Sequence, residues 1–281
     1  MNRMAKSKAG GLGGSSALAE MKIRTFHVLG VPVLDVSMSQ ALALADRFLT
    51  EPKAHSVISI NPEKVIQARR DPRMAQILRE GDLNHPDGIG AVWAIQMKYR
   101  HRPPQTPGVD LMEQMAAKAA REGLPVFFYG AADKVNRRCV ENLSRKYPGL
   151  VVAGRSHGYL SPREEEALPE IINASGARIL FVALGAPKQE YWIRDHQRRL
   201  QARWIQGVGG SFDVFSGYVK RAPAWVYNLH LEWVYRLLAD FKRLPRYGSF
   251  IAFGLLAVAE ALGLYRPRPL GSAPGGGEPG R

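Results

Sequence analysis

Three short stretches hold the residues best suited to chemistry: LNHPDGIG at 83–90, ALGAPKQEY at 183–191 and QGVGGSFD at 206–213. Asp87 stands between Pro86 and Gly88. A carboxylate so flanked either shapes a turn or, beside a bound ligand, serves as a general base. Gly185 in the second stretch and Gly209 and Gly210 in the third each follow an apolar run and precede a helical pattern. Glycine there lets a phosphate approach backbone N–H groups at a helix start, and it equally suits a tight strand-to-helix turn. Two such loops at neighbouring strand ends favour a nucleotide or diphosphate site. A fourth stretch, SINPEK at 59–64, adds Ser59 and Asn61, short polar groups that either bind a sugar hydroxyl or cap the helix that follows.

The familiar motifs do not fit. A dinucleotide fingerprint starting at Gly207 needs glycine at 212, where Phe212 stands, and a nucleophile elbow around Ser211 fails at Asp213. No phosphate-binding loop of the G-x-x-x-x-G-K-[ST] type, no H-E-x-x-H and no D-x-D occurs, and the seven histidines are scattered. The reading is therefore of no metal site and no cofactor. Phosphate chemistry without a metal calls for cations and N–H donors around the leaving group.

The elements that must position these residues alternate. Apolar runs such as HSVISI (55–60), LPVFFYGA (124–131), ARILFVALG (177–185) and ARWIQGVGG (202–210) are separated by segments with helical spacing. FHVLGVPVLDV (26–36) reads as a further strand, and PEKVIQARRDPRMAQILRE (62–80) as a helix opened by Pro62. Alternation of this kind predicts an α/β fold: a Rossmann-like parallel sheet with helices on both faces and ligands at the carboxyl ends of its strands.

Composition places that domain among partners. The 281 residues carry 39 Lys and Arg against 25 Asp and Glu, a net charge of +14, which points to polyanions. Nucleic acid is disfavoured, because the basic residues gather after the α/β region instead of interleaving with aromatics on a sheet. The division expected is a disordered Gly/Ser-rich leader at 1–20, the α/β domain at 21–218, a basic and aromatic helical appendage at 219–268 and a disordered tail at 269–281. The leader lacks the apolar core of a secretory signal. In the appendage Lys220, Arg221, Arg236, Lys242, Arg243 and Arg246 alternate with Trp and Tyr. The apolar stretch 248–265, interrupted by Glu260, follows and suits a helix lying in an anionic membrane surface. The one cysteine, Cys139, has no histidine partner in view and reads as structural.

Taken together and in order, SINPE, LNHPDGIG, GVDLM, FFYGA, YPGLVVAG with HGY, LFVALGAPKQEYW, GVGGSFDVFSG, KRAPAW and LEWVYRL resemble the WecG/TagA/CpsF family of bacterial glycosyltransferases (glycosyltransferase family 26). The resemblance spans roughly residues 26–247. It implies an inverting, metal-independent transfer of a sugar from a UDP-sugar to a polyprenyl-diphosphate-linked acceptor in cell-surface or exopolysaccharide synthesis. The sugar would be N-acetylmannosamine, its uronic acid or another hexose, and the site would lie at the cytoplasmic face of the membrane. It further implies Asp87 as the catalytic base, and Ser59 (where threonine is common), Asn61 and Gln189 as substrate-site residues. Arg221, Arg236, Arg243 and Arg246 would be the cations that close over the site. One departure is Gln105, three residues before the glycine of GVDL, where the family often has arginine. Two other classes remain open on the residues alone: a nucleotide-binding module that docks on membrane or nucleic acid, and a different Rossmann-like enzyme such as a dehydrogenase. Oligomeric state is not encoded in these features.

Overall fold

The computed structural model describes residues 21–219, 247–267 and 270. Six strands form one wholly parallel sheet: β3 (His55–Ile60), β4 (Leu83–Pro86), β5 (Val126–Gly130), β6 (Val152–Ser156), β7 (Ile179–Ala183) and β8 (Trp204–Gly207). Their spatial order is β4-β3-β8-β7-β5-β6. The central strands are apolar on both faces because helices cover both. Phe128, Phe181 and Trp204 face a core shared with α1 (Met38–Thr50), α5 (Gly108–Glu122) and α6 (Asp133–Lys146). Their alternates Phe127, Tyr129, Leu180, Val182 and Ile205 face a second core built with α7 (Pro162–Ala174) and α8 (Lys188–His196). Cys139 is fully buried in the first of these, and burial pushes its thiol pKa well up, as suits a structural residue.

Two features differ from the sequence expectation. First, 26–36 is not one strand of the main sheet. It lies within an antiparallel hairpin, β1 (Thr25–Val28) and β2 (Val31–Leu34), whose two-residue turn, Leu29-Gly30, has positive φ at both positions. Second, 62–80 is two helices, α2 (Pro62–Arg70) and α3 (Pro72–Glu80). Pro72 cannot continue the first, and Asp71 caps the second by accepting from the N–H groups of Arg73 and Met74. The run after Asp87, to which the sequence reading assigned no element, forms a helix of its own, α4 (Ile89–Tyr99).

The apolar stretch after residue 247 forms a helix, α10 (Tyr247–Ala261), that packs on α2 and α4. Phe253 and Ala257 enter a third core with the hairpin and with Ile58 and Ile60 of β3. Glu260, which interrupts the run, is buried and pairs with Lys98 at 2.8 Å. Its other oxygen accepts the Leu29 N–H at 3.0 Å, tying α10 to the hairpin turn. No described helix is long and apolar enough to cross a membrane.

Candidate active site

Where β3 and β4 end side by side, the chain delivers Ser59, Asn61, His85 and Asp87 within a few residues of one another. The register Ser59↔His85 and Ile60↔Pro86 fixes this, and the Asp87 N–H extends the ladder to the Ile60 carbonyl at 2.9 Å. Asp87 is partly buried. Its Oδ1 accepts the N–H of Gly108, the first residue of α5, at 3.1 Å, so the carboxylate is held against a helix amino end. Among the described residues no hydrogen bond engages its other oxygen. A side chain at position 108 would touch Ser59, His85 and Asp87 together, so these three surround the start of α5. That start is fixed from below, because buried Gln206 donates from Nε2 to the Gly108 carbonyl at 3.1 Å.

His85 has no access to solvent, and its Nδ1 lies 2.7 Å from the Thr106 carbonyl. Since a carbonyl only accepts, Nδ1 carries the proton and donates. Burial pushes the imidazole pKa down to about 4; the Lys64 charge adds to the shift, while Asp87 and the Thr106 bond oppose it. The ring is thus neutral near pH 7, and its Nε2 lone pair has no partner among the described residues. The 105–107 segment is pinned here too, Thr106 N–H donating to the Pro86 carbonyl at 2.9 Å. Gln105 therefore sits one residue from an anchor of the Asp87 loop.

On the other side of β8, the end of β7 turns at Gly185 (φ 76°) into α8, and the end of β8 turns at Gly209 (φ 51°) into the single turn α9 (Ser211–Phe215). Both glycines occupy left-handed backbone that other residues adopt at a cost. Gly210 does not: its φ is −76°, and an added Cβ would meet nothing closer than 3.7 Å. The two loops are bonded together. Gln189, buried in the first turn of α8, accepts the Gly209 N–H on Oε1 at 3.0 Å and donates from Nε2 to Glu190 at 2.8 Å.

Asn61 is the N-cap of α2, its Oδ1 accepting the Lys64 N–H at 3.0 Å. Ser59 is buried and accepts from the Lys64 ammonium at 3.1 Å. The same ammonium pairs with Glu190 at 2.8 Å. Lys64, His85 and Glu190 also lie at these strand ends, and the motif reading passed over them. A signal for the first was available, since Lys64 falls in the first turn of its helix, where the dipole disfavours a cation. The structure brings together Ser59, Asn61 and Asp87 at one pair of strand ends and Gly185, Gln189, Gly209 and Gly210 at the next. Arg221, Arg236, Arg243 and Arg246 lie outside the described residues.

Residues 26–267 match the profile of the glycosyl transferase WecG/TagA/CpsF family. The chain belongs to that family. Among its relatives is a protein of Bacillus spizizenii (strain ATCC 23059 / NRRL B-14472 / W23) named N-acetylglucosaminyldiphosphoundecaprenol N-acetyl-beta-D-mannosaminyltransferase. It is 38% identical over 203 residues, covering 72% of this chain and 78% of the relative. The family match runs through α10, so the helix packed on α2 and α4 falls within the shared part of the chain.

Proposed function

We propose that the protein transfers a sugar from a UDP-sugar to a sugar borne on a polyprenyl diphosphate, in the assembly of a bacterial surface or secreted polysaccharide. The donor it suits best is UDP-N-acetylmannosamine, and the acceptor diphospho-linked N-acetylglucosamine, by analogy with the Bacillus spizizenii relative. The observation that carries the reading is the Asp87 carboxylate. One oxygen is fixed by the Gly108 N–H and the other is unengaged among the described residues, at the strand ends where α/β folds bind ligands. In this mechanism the unengaged oxygen takes the proton of the acceptor hydroxyl as that hydroxyl attacks the anomeric carbon and UDP departs. One base and one displacement suffice, and the sugar's anomeric configuration inverts.

The 185–190 and 207–210 loops hold the donor diphosphate and nucleoside in this reading, with Arg221, Arg236, Arg243 and Arg246 neutralising the leaving group. Gln189 then acts as the brace between the two loops. Metal independence rests on the absence of a D-x-D sequence.

The acceptor is anchored in lipid, and the outer side of α10 fits a lipid surface. Ile251, Leu255 and Val258 recur at helical spacing on one stripe, continued by Leu262 in the turn just after the helix, with Ile251 and Leu255 about two-thirds exposed (67% and 70%). Exposed Trp93 and Met97 of neighbouring α4 extend it. We read this as peripheral docking, on the face of the membrane where UDP-sugars are available.

The test is release of UDP by the purified chain with a panel of UDP-sugars and a synthetic polyprenyl-diphosphate-N-acetylglucosamine, before and after exhaustive EDTA. Release that needs both substrates and survives EDTA is expected. UDP binding without transfer to any acceptor would support the nucleotide-binding module instead, and activity restored only by Mg²⁺ or Mn²⁺ would remove metal independence.

A further inference from the structure

Lys64 and Glu190 form an ion pair that is 2% and 3% exposed, inside a domain with ample exposed positions for charge. A buried pair of this kind contributes little net stability over apolar residues of equal volume, because both ions lose their water. Its placement is specific. Both residues lie in the first turns of their helices, α2 after β3 and α8 after β7, and these strands flank β8. The pair therefore bridges the end of β8, between the Ser59 side of the cleft and the glycine loops.

The bonds run in one connected chain. Gly209 N–H donates to Gln189 Oε1, and Gln189 Nε2 donates to Glu190 Oε1. Lys64 forms an ion pair with that same Glu190 oxygen at 2.8 Å and donates to Ser59 Oγ at 3.1 Å. An ammonium has donors only, so the Ser59 oxygen is the acceptor in its bond with Lys64, and the single Ser59 proton must go elsewhere. Among the described residues no acceptor takes it.

We propose that Lys64 and Glu190 are positioning residues: their buried pair turns the Ser59 hydroxyl into a fixed donor to an accepting oxygen of the substrate, and keeps it in register with the 207–210 loop. The inference rests on the glycosyl-transfer reading and deepens it. The oxygen recognised has no proton to offer, so it is a phosphate oxygen of the diphosphate or the acetamido carbonyl of an N-acetylated sugar.

The full chain is compared as wild type, Lys64→Met, Lys64→Met/Glu190→Met and Ser59→Ala, with Ser59→Ala also combined with the double change. Lys64→Met alone strands a buried carboxylate and lowers the melting temperature. The double change recovers most of that loss while kcat/KM stays about tenfold or more below wild type, the cost of an unoriented hydrogen bond. Added to Ser59→Ala, it lowers turnover no further. Turnover that recovers along with stability, or losses that simply add in the Ser59→Ala background, would make the pair structural only. Should the double variant fail to fold, Ser59→Ala decides: unchanged kcat/KM at unchanged melting temperature leaves the pair nothing to position. Calorimetry on Ser59→Ala separates the two oxygens, since weaker binding of UDP alone marks phosphate, and weaker binding confined to N-acetylated donors marks the carbonyl. A wild type that transfers no sugar sinks the glycosyl-transfer reading itself, whereas an active wild type matched by these variants sinks only the positioning role.

Discussion

The two halves of the strand-end cleft treat their polar groups differently. At the ends of β7 and β8 most are consumed internally: Gly209 N–H by Gln189, Gln189 by Glu190, and the Ser211 hydroxyl by the Val208 carbonyl at 2.7 Å, with Oε2 of Glu190 left without a described partner. At the ends of β3 and β4 polar capacity is left over: one oxygen of Asp87, Nε2 of His85 and the proton of Ser59 have no described partner. Groups held by the protein give shape; of those held back, His85 is fully buried, which leaves the partly buried Asp87 oxygen and the Ser59 proton as the ones that can meet a substrate. The difference fits the proposal in which the glycine loops are a braced cradle and Asp87 is the base.

Substitutions should break the two halves differently. The largest effect is expected at Asp87→Asn, which keeps an acceptor for the Gly108 N–H yet cannot take a proton. Turnover should fall by a factor on the order of 10² or more with UDP affinity unchanged. Steady-state kinetics beside calorimetry check this, and a simple loss of UDP binding would place Asp87 in the cradle instead.

The cradle is tested by a pair of neighbours. Gly209→Ala forces a side chain into left-handed backbone, at roughly 1–2 kcal/mol, and should weaken UDP binding about tenfold. Gly210→Ala, at φ −76° with open space, should stay near wild type. Equal effects in the two variants would mean that loop shape is not what binds UDP.

His85 gives a pH signature confined to the β4 side. Its folded pKa, about 4, lies below its unfolded value near 6.5. The unfolded state therefore takes up protons first as pH falls. The associated stability is complete above about pH 6.5 and is lost progressively on acidification toward pH 4. Denaturation midpoints measured across that window should fall in the wild type and fall less in His85→Gln. Parallel curves for the two proteins would contradict a buried neutral imidazole.

The smallest effect is expected furthest from the cleft. Ile251→Gln/Leu255→Gln on the exposed stripe of α10 should reduce sedimentation with anionic vesicles severalfold, with little change in turnover on a detergent-solubilised acceptor. Undiminished sedimentation would move membrane contact elsewhere on the chain.

Much of this frame was legible in the sequence. Strand runs such as ILFVA and the glycine loops after them are local patterns, and local patterns survive without coordinates. The place of Asp87 at a strand end was readable in the same way, from its position between Pro86 and Gly88, while its role as a base came from the family resemblance and not from local pattern. The ion pair of Lys64 with Glu190 was not readable, because its partners meet only after β8 has inserted between β3 and β7. The split at Pro72 was in plain view, yet helical periodicity on both sides masked it. The hairpin was hidden for a different reason: its turn places Leu29, a residue with no turn preference, at φ 50°. Glu260 looked like an interruption of an apolar run and proved to be the clasp between α10 and that turn, a role that only its partners Lys98 and Leu29 reveal.

The central claim is a single displacement driven by one carboxylate. Its most direct test is the anomeric configuration of the product, read by NMR from the one-bond carbon–proton coupling at the transferred sugar's anomeric carbon. With a donor α-linked to UDP, a β-linked product and no other is expected. An α-linked product would require a second displacement or a front-face route and would contradict the role given to Asp87.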